Sequence, residues 1–359
     1  MAASADPGEL RTIDQIIARA REITDPGAHA WAAAGAGQGV TVARNALALN
    51  RLALLPRVGR DVSDVDTSST FVGAPLAFPV MLAPVAALAL YDPADAAAAA
   101  TAAAEMGTSA INSIHMTSPW EEVAATSPGH HFFQLYVAGD RGWMAEILSR
   151  VRAAQFGGIC VTVDAPVIGR RDRSLEQDFI WRSPGRGTDG LRQHGWDESF
   201  RSRFAWPDLQ WICSETDLPV FAKGVMTAED ATVAVDCGVA GVFVSNHGGR
   251  MVDHGLSSIE VLGEIVEAVA DGVDVAVDSG FARGADVCKA LALGAKAVGI
   301  GRLQCWGLAA GGVAGLVRVL EILNEEIALT MANIGARSVG EITPDYVRWS
   351  ITVPPPEPG

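Results

Sequence analysis

The chain has 359 residues, 49% hydrophobic and 19% charged, which is apolar enough for a sizeable core and too weakly charged for a disordered polypeptide. Lys and Arg number 27 against 42 Asp and Glu, and the resulting net charge of −15 excludes nucleic acid and anionic membrane surfaces as natural partners. Cys160, Cys213, Cys237, Cys288 and Cys305 are far apart and free of CxxC or Cys/His spacing, so they read as reduced thiols, with no metal site.

In chain order, the opening MAASADPGELR carries no apolar run of a secretory leader, and a cytoplasmic location is the expectation. Residues 1–70 read as an N-terminal helical segment packed on a larger domain C-terminal to it. Phe71–Tyr91 is the longest uncharged stretch, but Pro75, Pro79 and Pro84 would break a helix there, which makes it buried strand and loop.

From there to about residue 330, short β-like runs alternate with helical stretches. The runs are Phe78–Pro84, Ser109–Ser113, His131–Tyr136, Gly158–Asp164, Pro219–Gly224, Gly241–His247, Val273–Gly280 and Ala297–Arg302. Helices are expected over Ala94–Met106, Arg141–Phe156 and Thr227–Cys237, the last opening on Thr-Ala-Glu-Asp with an N-cap and an acidic first turn. Eight β/α alternations imply an α/β fold, a closed (β/α)8 TIM barrel over residues 71–337. The connection after the fourth run, about 165–208, is a long insertion rich in Arg, Gly and Trp that would overhang the barrel mouth as a lid. Residues 338–359 read as a C-terminal tail ending in PPPEPG.

In such a barrel the chemistry sits at the C-terminal strand ends, and here every end but the first is polar. They read Asn112-Ser113, Gln134 and Tyr136, Thr162 and Asp164, Lys223, Ser245 and His247, Asp278, and Gly301-Arg302. The segment Ser245-Asn-His247-Gly-Gly-Arg250 sets an imidazole, able to accept a proton near neutrality, beside a guanidinium able to hold a carboxylate by two parallel hydrogen bonds. His130, His131 and His194 carry no such neighbours and read as core or loop residues. Lys223 ends an apolar strand, where a buried ammonium needs an anionic or strongly polar partner. Asp278-Ser279-Gly280 with Arg283, and Gly301-Arg302, follow strands seven and eight, the usual phosphate site of a barrel.

The chain resembles the FMN-dependent α-hydroxy-acid oxidases and dehydrogenases, a family that includes glycolate oxidase, lactate oxidase and mandelate dehydrogenase. The resemblance runs from about Ala34 to Arg337. It is carried by SNHGGR at 245–250, KGVMTAED at 223–230, Gln134-Leu-Tyr136, TVDAP at 162–166 with Gly169-Arg-Arg171, and KALALGA at 289–295 with GIGR at 299–302.

The resemblance implies FMN across the barrel mouth. Pro84, Val85, Ala86 and Asn112 would face the flavin ring, and Gln134 and Thr162 its pyrimidine part. Lys223 would meet the N1 and O2 edge, Ser245, Asp278 and Ser279 the flavin and its ribityl chain, and Gly280, Gly301, Arg302 and Arg283 the phosphate. His247 would be the base, Asp164 its partner, Arg250 the carboxylate clamp, with Tyr136 and Arg171 at the substrate. The implied reaction is oxidation of a 2-hydroxy acid to a 2-oxo acid. Ala86, a small residue near the flavin, tilts the acceptor towards O2 with hydrogen peroxide as product. A homo-oligomer, commonly a tetramer in the family, is implied as well.

Several positions depart from the family pattern. Trp31 stands where a carboxylate-binding Tyr is usual, Ile114 where an aromatic residue often walls the pocket, Asn112 where Ser is usual, and Ala282 where an Arg helps hold phosphate. These departures leave open a dehydrogenase, or an oxidase of a bulkier biosynthetic intermediate or an amine. A flavin-binding barrel without turnover is the remaining alternative.

Overall fold

The structure is a computed structural model that describes residues 7–181 and 197–351. Its N-terminal segment begins with α1 (Ile13–Ile23), where Thr12 caps the first turn by accepting from the Gln15 amide while the Gln15 side chain accepts from the Thr12 amide. Two more helices follow, α2 (Pro26–Ala33) and α3 (Val40–Arg51), and then β1 (Leu52–Leu54). A small hairpin of β2 (Ser69–Phe71) and β3 (Ala74–Leu76) leads into the barrel.

Eight parallel strands follow: β4 (Val80–Leu82), β5 (Ile111–Ser113), β6 (Phe132–Leu135), β7 (Gly158–Thr162), β8 (Val220–Val225), β9 (Gly241–Val244), β10 (Asp274–Val277) and β11 (Ala297–Ile300). They pair in sequence order from β5 to β11, and β11 returns to β4. A single bridge from Leu82 to Ala110 closes the ring. Each strand lies within the run expected from sequence, except that β8 continues past Gly224 to Val225 through a local irregularity.

The three expected helices are Asp95–Glu105, Arg141–Ala153 and Ala228–Asp236, the last capped by Thr227, whose hydroxyl accepts from the Asp230 amide. Helix Arg302–Ile334 is long and apolar enough to cross a membrane, yet it packs on α1 and on helix Asp95–Glu105 as a core element, with a break at Gly311 and Gly312.

The period of two along each strand builds the interior in layers. The lower layer is Met81, Ile111, Phe132, Cys160, Phe221, Phe243, Ala276 and Ala297, closed from beneath by Phe71 of the hairpin. Phe71 meets Phe132, Phe221 and Phe243 edge-on, at 6.2, 5.2 and 6.2 Å between ring centres. One step of two residues up every strand lies the next layer, at Ala83, Ser113, Gln134, Thr162, Lys223, Ser245, Asp278 and Gly299. An apolar floor thus carries a largely polar one.

The tail from 338 is more structured than its composition implies. Val347–Trp349 forms β12, antiparallel to β1, and ties the C-terminal segment to the N-terminal one. Residues 352–359, with the Pro-rich end, lie outside the described residues.

Candidate active site

The polar layer is hydrogen-bonded throughout its buried part. Ser113 Oγ donates to Gln134 Oε1 at 3.0 Å, and Gln134 Nε2 donates to Thr162 Oγ1 at 3.1 Å. Lys223 Nζ lies 2.8 Å from Ser245 Oγ and 2.9 Å from Asp278 Oδ2, with only 4% of the Lys side chain and 9% of the Asp side chain exposed. Burial works against the ammonium, but Asp278 and Asp164 outweigh it and raise the Lys223 pKa. The charge is therefore permanent. Ser279 Oγ donates to the other oxygen of Asp278 and accepts from the Gly248 amide, which ties the end of β10 to the His247 loop.

Above this floor, His247 Nδ1 lies 3.0 and 3.3 Å from the two oxygens of Asp164. Burial opposes ionisation of Asp164, but the attraction of His247 and Lys223 prevails and holds its pKa below the ordinary value. An ionised Asp164 accepts a hydrogen bond from Nδ1–H, so the lone pair of a neutral His247 is on Nε2. That nitrogen faces Tyr136 Oη at 3.4 Å. Burial and the nearby Asp164 charge both raise the Tyr136 pKa, keeping the phenol protonated as a donor. Two backbone devices make this possible. Gly224 (φ 113°) sits at the irregularity of β8, where a Cβ would come within 2.4 Å of the Asp164 carboxyl carbon, and His247 itself has φ 58°.

A cavity of about 680 Å³ opens over these groups, and guanidinium groups line it. Arg250 Nη1 donates to the carbonyls of Trp31, Ala32 and Ala34 at the C-terminal end of α2, and its guanidinium lies 4.5 Å from the centre of the Trp31 ring. Burial, then the like charges of Arg171 and Arg302, push the Arg250 pKa well below its ordinary value. Arg302 Nε and Nη2 also donate to the carbonyls of Ala32 and Ala34, at 2.8 and 3.1 Å. Among the described residues no carboxylate lies within ion-pair distance of Arg171, Arg250 or Arg302. Partly buried positive charge without a counter-charge is costly, and here it faces a cavity that an anion can enter.

Of the residues singled out from sequence, Pro84, Val85, Ala86, Trp31, Tyr136, Arg171, Lys223, His247, Arg250, Asp278, Ser279, Gly280, Gly301 and Arg302 line this one cavity. Gln134, Thr162 and Ser245 form the buried layer beneath it, and Asp164 stands behind His247. Three expectations need correction. Asn112 does not face the cavity: its amide donates to the carbonyls of Ala110 and Phe132, and Ser113, the next residue, occupies the inward position beside Gln134.

Ile114 is likewise fully buried in the core, and His115 takes the place on the wall. Both errors are a shift of one residue, which in a strand exchanges the two faces. Arg283 turns outward onto Glu326, at 2.6 Å, and is half exposed, so it is no part of the cavity. Arg201 and Trp181, from the insertion, line the cavity and have no distinguishing signal in sequence. His194 lies outside the described residues.

The residues present fit an FMN. The first turn of the Arg302–Ile334 helix opens on the cavity at Gly301 without a side-chain cap, where a Cβ would meet nothing, and so leaves free amides beside the Arg302 charge for a phosphate. Lys223 supplies a fixed positive charge from below.

A family model described as FMN-dependent dehydrogenase matches residues 20–349. Among curated proteins the chain is 37% identical to glycolate oxidase of Spinacia oleracea, over 94% of this chain and 96% of the relative. It is 40% identical to a peroxisomal (S)-2-hydroxy-acid oxidase of Oryza sativa subsp. japonica, over 87% and 89%. Among solved structures, mandelate oxidase with benzoyl-formic acid superposes with a TM-score of 0.88 at 35% identity, over 95% of this chain and 99% of that one. Barrel, polar floor, histidine and unneutralised arginines agree with that likeness, and the chain belongs to the FMN-dependent dehydrogenase family.

Proposed function

We propose that the protein oxidises a 2-hydroxy acid to the 2-oxo acid and passes the two electrons to O2, yielding hydrogen peroxide. The observation that carries this reading is the Asp164–His247–Tyr136 line opening on the same cavity as Arg250 and Arg171. The two guanidiniums hold the substrate carboxylate, which orients the adjacent hydroxyl-bearing carbon. His247 Nε2 accepts the proton released there, and ionised Asp164 stabilises the imidazolium that results. Tyr136, which keeps its proton, donates a hydrogen bond from its phenol to the substrate oxygen. Bound FMN supplies the two-electron acceptor, and the Lys223 ammonium favours the negative charge that reduction brings to the mouth of the barrel. The names of the relatives and the small Ala86 side chain on the cavity wall support O2 as the second substrate.

The test is anaerobic mixing of the yellow protein with a panel of 2-hydroxy acids, followed by air. Bleaching of the flavin and peroxide on re-oxidation are expected. A flavin that no 2-hydroxy acid bleaches overturns the reaction, and bleaching without peroxide replaces O2 by another acceptor.

A further inference from the structure

Arg201 is a cation that the oxidation of a simple 2-hydroxy acid does not require. It comes from the insertion, lines the same cavity as His247, and lays its guanidinium over the face of the Tyr136 ring at 4.4 Å. Its Nη2 donates to His115 Nε2 at 3.0 Å, and an imidazole that accepts through Nε2 carries no charge to offset that of the guanidinium. Among the described residues no carboxylate is within ion-pair distance of Arg201, and its Nε is buried without a hydrogen-bond partner.

The chain as a whole carries 15 more negative than positive charges, so acidic side chains to neutralise it were plentiful. The other ionic groups are already committed. Asp164 serves His247, Asp278 serves Lys223, and Arg250 and Arg171 serve the carboxylate beside the reacting carbon.

We propose that Arg201, with His115 beside it, forms a second anion subsite on the far side of Tyr136, and that the substrate is a 2-hydroxy acid bearing a second carboxylate on its side chain. This rests on the 2-hydroxy-acid reading of the site. A guanidinium offers a planar edge that matches a carboxylate, and one such charge with an uncharged imidazole suits a monoanion better than a phosphate dianion. Tyr136, whose hydroxyl faces His247 and whose ring lies beneath Arg201, separates the reacting end from the second acid by the width of one side chain.

The test compares 2-hydroxyglutarate with 2-hydroxyvalerate, equal in chain length, in anaerobic flavin reduction by the holoenzyme. Wild type is expected to favour the diacid in reduction rate over Kd. Arg201→Gln should lower that preference about 10- to 100-fold, the worth of one charge-assisted hydrogen bond, and Arg201→Lys should keep most of it. Malate against 2-hydroxybutyrate, and 4-carboxymandelate against mandelate, vary the spacing. Calorimetric titration with glutarate and with valerate reads the subsite without turnover, and only glutarate should weaken in Arg201→Gln.

Equal use of the mono- and diacid by wild type overturns the proposal. So does a diacid preference that survives Arg201→Gln, or a variant that only melts earlier with its preference unchanged, which would make Arg201 a pin for the insertion. If no 2-hydroxy acid reduces the flavin, the hydroxy-acid oxidation itself fails, while the glutarate titration still decides the subsite.

Discussion

His247 occupies the left-handed region of backbone space at φ 58°, a conformation that costs free energy for any residue but glycine and so requires compensation. The Asp164 contacts, together with the bond from the His247 amide to Ser245 Oγ at 3.0 Å, supply it. The ring is thereby held ready, with Nε2 facing the cavity. His247→Gln is expected to slow flavin reduction by at least ~10²-fold while FMN stays bound, a loss that stopped-flow absorbance will show. Reduction at the wild-type rate would move the base elsewhere.

Trp31 is decided at the same scale. The resemblance sets it at the position of a carboxylate-binding Tyr, and the structure puts its ring on the cavity wall beneath the Arg250 guanidinium. Indole fills space there and offers a single N–H where a phenol would offer a hydroxyl. Trp31→Tyr should therefore raise kcat/KM for lactate and glycolate roughly 10- to 100-fold, one hydrogen bond to a carboxylate being worth about 1.5–3 kcal/mol. Efficient use of both acids by wild type, with no gain from the substitution, would make Trp31 a packing residue only.

Among the elements, the hairpin β2–β3 does the most for its size. Its turn places Val72 and Gly73 at φ 49° and 81°, as a tight two-residue turn demands, although valine is a poor candidate for such a conformation. The Val72 amide donates to Asp274 Oδ2 at 2.7 Å, an anchor from β10 that no local pattern could reveal. The hairpin thus drives Phe71 into the base of the barrel, where it is fully buried. Phe71→Ala should cost about 3–5 kcal/mol, measured by urea unfolding, because rings on three strands would face a cavity that the closed barrel cannot collapse. A loss under about 1 kcal/mol would show that the floor repacks.

The insertion is the contrasting element. Its described parts, residues 165–181 and 197–208, bring Arg171, Trp181 and Arg201 over the mouth. Length alone marks it as a lid, and nothing in its composition distinguishes Arg201 from the other arginines near it. Their different directions depend on how the short helix Asp172–Glu176 and the turn around Phe200 dock on the barrel.

At the scale of the whole molecule, stability against acid is set in part by His131, buried between β5 and the end of helix Trp120–Ala125. Its Nδ1 accepts from the Ala110 amide at 3.2 Å and its Nε2 donates to Thr126 Oγ1 at 2.9 Å, an arrangement that only the neutral ring can satisfy. Burial, with a smaller push from His130, lowers its pKa to about 4 from the usual 6.5. Below pH 6.5 the unfolded chain binds this proton more readily than the folded one. The stabilisation is therefore complete above pH 6.5 and lost as pH falls towards 4, amounting to on the order of 3 kcal/mol. Unfolding free energies across that interval, with the ring titration followed by NMR, check it; an imidazole that charges near its usual pKa of 6.5 in the folded protein would remove His131 as the cause.

Local pattern determined much of this protein. The eight strands, their order, the helix from Thr227, and the residues Lys223, His247, Arg250 and Asp278 at the strand ends are written in apolar runs that stop at polar residues, and a period of two then fixes the layers. Tertiary structure decided what that period cannot. Which of Asn112 and Ser113 points inward depends on the register at the barrel's closing bridge, and Arg283 turns away because Glu326, 43 residues on, lies within reach. The direction of Arg201 depends on Tyr136 and His115, contributed by other βα units. Pairing of β12 with β1 sets Arg348 opposite Ala53, far apart in the chain, through backbone groups that carry no side-chain signature. Strand patterns report the environment of a residue and its near neighbours, whereas a charge or a backbone edge is satisfied by whatever the closed barrel brings beside it.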